Sequence, residues 1–529
     1  MRAENRRSSL VNPYQIAADL SRDGKHEQGY KIIAKLLTDN PMDIQALVTG
    51  SYITRAMGAL PVAYHYARAA TQLRPTDAPA WTNLGHAASQ MWLVEEAERH
   101  YFKALECSKS DFDRKVLWVN LSALYLDDGK FDKAQGYIEK VLAKYPDDVD
   151  AKANLGFCLL AQRKWEGWKG YRNTIGSDWR PRIQYKDEPE WDGTPGKVVA
   201  LYGDQGLGDE ISFASMIPDA ADVCSKVIVD CDERLEGLFR RSFPQVKVYG
   251  TRTAKDAKWD KADWHIDASL PLGQIGEYFR TTDESFPGTP YLTACPDRMK
   301  MWKALFAQKG KPVIGIAWTG GMPRTNARNR RIGLEDWLPI FGMDAHFVSL
   351  QYKDSSDEIA AFRKKYHVDL KQYPWGTLTK DYDDTAALIA SLAHVVCIQT
   401  AVAHTAGALG VPVTVLVPEA TQWRYGKSQD SIPWYESLRV VRQAKTGSWS
   451  KEIERTANEL RTYFSRVPGA AGAAARNDQL RHSVHRVCAG GVRNHQPHGD
   501  YARPGLRMRQ PVQSREEPEG GSQASVPSV

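Results

Sequence analysis

Small residues recur on a fixed period in the first third of the chain. Ala17, Ser51, Gly85, Ser122 and Gly156 fall 34, 34, 37 and 34 residues apart. Gly29, Ala63, Ala97 and Ala134 each stand twelve residues after one of the first four. Pro41, Pro75 and Pro146 each close a helical pattern ten residues before a small position. Small residues at this offset predict pairs of helices that approach closely. One pair cannot bury its apolar face alone, so pairs stack into a superhelix with a concave groove. About four and a half such repeats fit residues 12–171, with a three-residue insertion near 108–113. The helical domain is assigned to 12–172. The groove either binds a peptide or self-associates, or the array buttresses the next domain; the pattern alone leaves both open.

The helical period is lost at 179–196, WRPRIQYKDEPEWDGTPG, and 173–197 reads as a linker whose Trp191 packs where the halves of the chain meet. Beyond it, short β-branched runs alternate with helical stretches. Strands are predicted at 198–202, 226–230, 246–249, 312–318, 346–350, 395–398 and 412–417, and helices at 233–243, 299–308, 386–392, 401–409 and 451–464. Continuous apolar runs rather than alternating ones predict buried parallel strands. The fold class is therefore a helical superhelix followed by α/β structure in two halves, 198–295 and 296–465.

With 529 residues, two to four domains are expected, and 42% hydrophobic with 25% charged residues describes an ordinary soluble chain. The net charge of +6 is small, and no basic stripe with interleaved aromatics marks a nucleic-acid footprint. Seven cysteines without a CxxC pair suit a reducing compartment and argue against a disulfide framework or zinc site. No apolar run reaches the ~20 residues of a spanning helix, and the N-terminus lacks a signal-peptide core. The expected location is the cytoplasm. From 468 onward Tyr501 is the only aromatic and eight arginines stand without a lysine, so 466–529 is expected to be disordered. His482, His485, Cys488, His495 and His498 would there be scattered rather than a metal site.

Candidate chemistry concentrates on loops before helices. In HVVCIQTAVAHTAGALGVP, residues 394–412, a strand leads through Gln399 and Thr400 into a small-residue helix ended by Gly410 and Pro412. Thr400 reads as its N-cap, and the free N–H groups of Ala401 and Val402 with the helix dipole behind them can cradle a phosphate. The same pattern also fits an ordinary strand–helix–strand unit. His404, on that helix, is read as a phosphate contact or an acid. The loop Gly203-Asp204-Gln205-Gly206-Leu207-Gly208-Asp209-Glu210 precedes a helix expected near Ile211, and its glycines permit close approach of a ligand. Thr319 and Gly320 end another strand, followed by Arg324, Arg328, Arg330 and Arg331, which could neutralise a diphosphate. Gln351 sits at a strand's C-terminal end, where open α/β sheets bind ligands. Asp383 and Asp384 are read as capping the 386–392 helix, with Asp384 a second option for a ribose hydroxyl. Asp230-Cys231-Asp232 is a DxD triplet that in another setting holds a divalent metal.

Three of these stretches resemble known families. Trp81-x-x-Leu84-Gly85 with the 34-residue period is similar to tetratricopeptide repeats. The motif Thr400, His404, Ala406, Ala408, Leu409, Gly410, Pro412 resembles the donor-site motif of the bacterial heptosyltransferases, especially members fused to such repeats. The GLGD element at 206–209 resembles their acceptor-side loop. The resemblance implies a GT-B glycosyltransferase with two Rossmann-like domains, metal-free and inverting, using a nucleotide sugar as substrate and no cofactor. It implies Asp209 as general base, with Glu210 the alternative, and Gln205, Gly206, Leu207 and Gly208 lining the acceptor side. Thr319, Gly320, Arg331, Gln351, Asp384, Gln399, Thr400, Ala401, Val402 and His404 would face the donor. Gln399 departs from the family, where Asp is common. Expected partners are a nucleotide sugar, a glycan or protein acceptor and a protein in the repeat groove. The alternatives are a non-catalytic repeat scaffold with a degenerate transferase region, and a transferase modifying protein Ser or Thr.

Overall fold

The computed structural model describes residues 12–466 except 178, 186, 253–264, 321–330 and 445–446. These residues belong to one compact unit, Met1–Asn477. Arg324, Arg328 and Arg330, the histidines and Cys488 of the 466–529 segment, and the predicted disorder there all lie outside the described residues.

Among the described residues, nine α-helices run in antiparallel pairs from Pro13–Arg22 to Val149–Ala161. The small positions lie where one helix of a pair crosses the other. A Cβ on Gly29 would sit 2.5 Å from the Ala17 carbonyl oxygen, and one on Gly85 would sit 2.6 Å from the Tyr101 ring. Ser51 Oγ uses the same proximity to donate to the Ala63 carbonyl at 2.9 Å. The first helix of each later pair starts at a side-chain cap: Asp43, Asp77, Ser110 and Asp148 accept the N–H groups of Ala46, Ala80, Asp113 and Ala151. The last pair is incomplete. Its second helix shrinks to Gly167–Tyr171 and a 3₁₀ turn, Arg172–Thr174.

That short helix enters the α/β core. Trp165, Trp168 and Tyr171 are buried in the same cluster as both sheets. Trp168 Nε1 donates to the Arg280 carbonyl at 2.9 Å and Trp165 Nε1 to Asp283 Oδ1 at 2.8 Å. The 173–197 segment, read as a linker, carries no helix after Thr174 among its described residues, yet it is tied down. Glu190 bridges Ser269 in parallel, Trp191 is 1% exposed, and Arg180 is wholly buried against Asp204.

Two parallel sheets follow. The first holds β1 (Val198–Tyr202), β2 (Lys226–Asp230), β3 (Lys247–Tyr249) and β4 (Ala268–Pro271), in the order β3-β2-β1-β4. The second holds β5 (Val313–Ala317), β6 (His346–Ser349), β7 (Leu370–Gln372), β8 (His394–Ile398), β9 (Val413–Val417) and β10 (Leu438–Arg442), in the order β10-β9-β8-β5-β6-β7. Counted from its own first strand, each sheet begins 3-2-1-4, and the second continues to 3-2-1-4-5-6. This is the doubly wound order, in which helices cover both faces and the strands are buried. The patterns missed β4, β7 and β10, which are short or carry polar residues.

Two local expectations are corrected. The Gly206–Glu210 stretch is not all loop, because the helix begins at Leu207 (Leu207–Phe213) rather than near Ile211. The helix expected at 386–392 spans Tyr382–Ile389, and its N-cap is Asp381, which accepts from the Asp383 N–H at 3.0 Å. Asp383 and Asp384 are thus first-turn acids, not caps.

Candidate functional site

In a doubly wound sheet the crevice for a ligand opens where the strand order reverses, beyond the C-terminal ends of the strands. In the second sheet that point lies between β5 and β8. Thr319 and Gly320 follow β5, and Gln399 and Thr400 follow β8. A methyl added to Gly320 would collide with the Thr400 methyl, so the two loops touch. Gln351, after β6, hydrogen-bonds Thr319 through its amide, and Thr319 bridges Arg331 in antiparallel fashion. The sequence-predicted Thr319, Gly320, Arg331, Gln351, Gln399 and Thr400 therefore share one edge of one sheet.

In the first sheet the reversal lies between β1 and β4, and β1 runs into the Gly203–Glu210 stretch. The Leu207–Phe213 helix packs against the Ala401–Ala408 helix. A Cβ on Gly208 would lie 3.2 Å from Ala401 Cα and 3.2 Å from His404 Cδ2. The two sheets' crevices thus abut, with the first turns of two helices side by side. The first N–H groups of any helix lack an intrahelical acceptor, which makes Ala401 and Val402 suitable for anion oxygens. Thr400 occupies the N-cap position with extended backbone but makes no side-chain cap bond. Its Oγ1 is buried without a hydrogen-bond partner. The expected Thr400 cap is therefore absent, and the hydroxyl is left with bonding capacity.

Other predicted residues are already engaged. Asp209, the third residue of its helix, accepts from the Gly206 N–H at 3.1 Å through Oδ2, while Oδ1 pairs with Arg424. It sits as a first-turn acid closing the helix start. Arg424 is 4% exposed at its side chain and lies 4.8 Å from the Phe213 ring centroid and 4.9 Å from that of Trp423. Burial pushes its guanidinium below the ordinary value, and the neighbouring phenols of Tyr171, Tyr425 and Tyr435 oppose that shift. Glu210 is buried. It accepts the Asp232 N–H at 2.9 Å and pairs with Arg252 at 2.6 Å, so it holds the loop instead of facing the crevice. Burial pushes its carboxyl up to about 8 even though Arg252 pulls it down.

His404 is 5% exposed, with Nδ1 3.3 Å from the Tyr435 hydroxyl and Nε2 3.5 Å from that of Tyr425. It packs between the helices rather than opening to solvent. Gln399 donates to Thr421 Oγ1. Gln205 donates to the Tyr171 hydroxyl at 2.5 Å, which joins the acceptor-side loop to the repeat array. Asp384 binds Arg298 at 2.8 Å and Thr379 Oγ1 at 3.0 Å, which answers its charge within the protein. Arg331 is the exposed cation of the described set, 63% exposed at its side chain and 3.4 Å from Glu358. The DxD carboxylates are consumed as well. Asp230 accepts from Tyr185 and twice from Thr251, and Asp232 binds Arg234 and Arg252.

The sequence missed Arg424, Thr421, Tyr425 and Tyr435 as site neighbours. Nothing local in the sequence pairs position 424 with 209. Among the described residues no group of three or more His, Cys, Asp or Glu gathers as for a metal, and no helix is long and apolar enough to cross a membrane.

The tetratricopeptide-repeat family matches residues 125–167, the repeats that dock on the α/β region. The N-terminal region is a tetratricopeptide-repeat-like array. Across 485 residues the chain is 27% identical to protein FlbA of Caulobacter vibrioides, covering 85% of this chain and 78% of that one. Among solved structures it is similar to PilW, a type IV pilus biogenesis factor (TM-score 0.28, 19% identity, 30% of this chain and 74% of that one). It is also similar to MamA (TM-score 0.25, 18% identity, 30% and 90%). The match to the APC/C Cut9–Hcn1 hetero-tetramer has a TM-score of 0.28 and 16% identity, covering 31% of this chain and only 31% of that one.

Proposed function

We propose that the chain is a glycosyltransferase of the GT-B type, moving a sugar from a nucleotide-sugar donor to an acceptor hydroxyl without metal and with inversion. The observation that carries this reading is the meeting of two strand-order reversals, with Gly208 seated on Ala401. Donor phosphates would rest on the N–H groups of Ala401 and Val402 and on the Thr400 hydroxyl, with Gly320 beside them and Arg331 supplying charge. The acceptor would approach from the Gln205–Asp209 side. Asp209 would take the acceptor proton once Arg424 is drawn away, for example by the incoming phosphates. A positioned carboxylate contributes ~10²–10⁴-fold to such a step. The repeats would contact a protein, either as partner or as acceptor polypeptide.

A second reading, a scaffold whose transferase region no longer turns over, draws on three contacts. Asp209 is bound at both oxygens, and uncharged Gln399 is spent on Thr421. The separating experiment is a thermal-shift screen of UDP-, GDP-, ADP- and CMP-sugars, followed by donor hydrolysis with wild type and Asp209→Asn. Stabilisation with turnover lost in Asp209→Asn supports the transferase. Stabilisation without turnover, or no response to any nucleotide sugar, supports the scaffold.

A further inference from the structure

Residues 418–431, between β9 and β10, form a strap that touches three parts of the molecule. Thr421 Oγ1 accepts from the amide of Gln399, next to the donor-side Thr400. Arg424, three residues on, pairs with Asp209 on the acceptor side. Trp423 packs on Trp168 of the last repeat, and Arg163 donates to the Ser431 carbonyl at 2.6 Å. One short segment therefore holds both sides of the crevice. Arg180 and Arg280, 0% and 1% exposed at their side chains, show how this protein holds a buried guanidinium. Arg180 donates to Asp204, the Tyr171 carbonyl, Thr174 Oγ1 and Gln274 Oε1, and Arg280 to the Phe279 and Ser215 carbonyls and Asp219. Among the described residues Arg424 has one acceptor, Asp209, and its Nε has none. A buried cation so thinly satisfied is costly to keep, and it passes to a stronger anion brought within reach.

We propose that the strap is a latch that reports donor occupancy: without donor, Arg424 covers the Asp209 carboxylate, and a diphosphate on the Ala401 and Val402 N–H groups takes the guanidinium and frees Asp209. This rests on the transferase reading of the crevice and adds the regulation of its base. Gly208, one residue before Asp209, is seated on Ala401, so diphosphate and carboxylate compete for Arg424 over a short distance. A diphosphate carries more negative charge than one carboxylate, and Arg grips its oxygens bidentately. It shifts the latch only as far as it binds the released state better, and the added Arg424 contact supplies that difference. Thr421 works in the same direction. Gln399 adjoins Thr400, so a phosphate oxygen that recruits the Gln399 amide also releases Thr421. The strap is pinned just beyond Arg424, where the Tyr425 and Gly426 carbonyls accept from Arg442 at 2.9 and 3.0 Å. Movement is therefore confined to residues 420–424.

The test is hydrogen–deuterium exchange read by mass spectrometry on the full chain, with UDP, GDP, ADP and CDP as probes and with the variants Arg424→Met and Thr421→Val. Binding ordinarily slows exchange where a ligand sits, whereas release of the latch quickens it in the strap. For a diphosphate that binds, slower exchange at 399–404 is expected together with exchange at 420–424 at least about fivefold faster. Each variant should show the faster strap without ligand, and the diphosphate should add nothing further in Arg424→Met. Strap exchange that stays the same or slows while 399–404 is protected overturns the latch and leaves the donor reading standing. Protection of 399–404 by none of the four overturns the donor reading and the latch with it. Strap exchange unchanged in Arg424→Met also overturns the latch; unchanged in Thr421→Val alone, it removes Thr421 from it.

Discussion

The Arg424–Asp209 pair joins residues 215 positions apart and ties the segment after β9 to the first turn of the Leu207–Phe213 helix. Its two members are not equally placed. The Arg424 side chain is 4% exposed and that of Asp209 is 27% exposed. Breaking a buried pair from one side costs about 3–5 kcal/mol, because the abandoned charge stays desolvated. Asp209→Asn abandons Arg424, which has no route to water, though Asn can still accept from the Gly206 N–H. Discounting for the partial exposure of Asp209, the loss should be about 2–3 kcal/mol. Arg424→Met abandons Asp209, which keeps its Gly206 bond and can recruit water, while Met refills the space over Phe213 and Trp423. That loss should be about 1 kcal/mol, within the usual cost of a shape-conserving core change. The double variant should resemble Arg424→Met, which gives a coupling of about 2–3 kcal/mol. Urea unfolding of the four proteins measures it. Arg424→Met proving the more damaging single variant, or a coupling below about 0.5 kcal/mol, would refute the reasoning. The same set read by donor turnover is informative: Asp209→Asn should lose activity in both backgrounds, while Arg424→Met retains it.

Asp384→Asn should cost at most about 1 kcal/mol, because its partner Arg298 is partly solvated, and should leave nucleotide-sugar affinity unchanged by thermal shift. Gly156→Ala places a Cβ 2.6 Å from the Gly170 carbonyl carbon. Backbone cannot yield there, so a loss of about 3 kcal/mol is expected in unfolding experiments. Gly136→Ala is the control: it meets nothing within 4 Å in a helix interior and should gain about 0.5–1 kcal/mol. His394 is buried with its pKa pushed down to about 3 by burial. It is neutral when folded and protonates when unfolded, so its stabilisation is present above pH ~6.5 and lost at about 1.4 kcal/mol per unit as pH falls toward 3. His394→Gln should flatten that share of the pH–Tm profile.

The repeat array was legible because its signal is steric and periodic. Gly85 against Tyr101 and Ser51 against Ala63 are contacts that any 34-residue helix pair must solve, so the same small residues return. Parallel strands were legible from continuous apolar runs, and β1, β2 and β8 match their predicted positions within a residue. The short β7 and the arginine-bearing β10 escaped because they show no such run. At the site, sequence spacing picked out the loops after strands that hold Thr319, Gln351 and Thr400, which lie at one sheet edge. It could not say which polar side chains would be spent on partners far along the chain. Asp209 shows this best, since its own helix explains one oxygen and only Arg424 explains the other. Glu210 and His404 likewise look reactive in sequence and are buried among Arg252, Tyr425 and Tyr435.

The array's two sequence-level roles, groove or buttress, divide along its length. The first four helix pairs stack only on each other over most of their surface, while the fifth is built into the sheets. Tyr171 carries much of that join. Its hydroxyl accepts from Gln205, its carbonyl accepts from Arg180 at 3.0 Å, and Arg180 reaches on to Asp204 and, at 3.2 Å, to Gln274. Trp423, next to Arg424, packs on Trp168 and Tyr171 at 5.4 and 5.9 Å. The last repeat therefore contacts the Gln205 loop on one side and, through Trp423, the segment after β9 that carries Arg424 on the other. Any tilt of the array against the sheets must break these buried contacts together, and packed cores switch between discrete arrangements rather than deform gradually. A ligand in the repeat groove can influence the crevice only by shifting the fifth pair. Cross-linking that pair to residues 283–286, which hold Trp165 through Asp283 and Phe286, should uncouple the two without disturbing either.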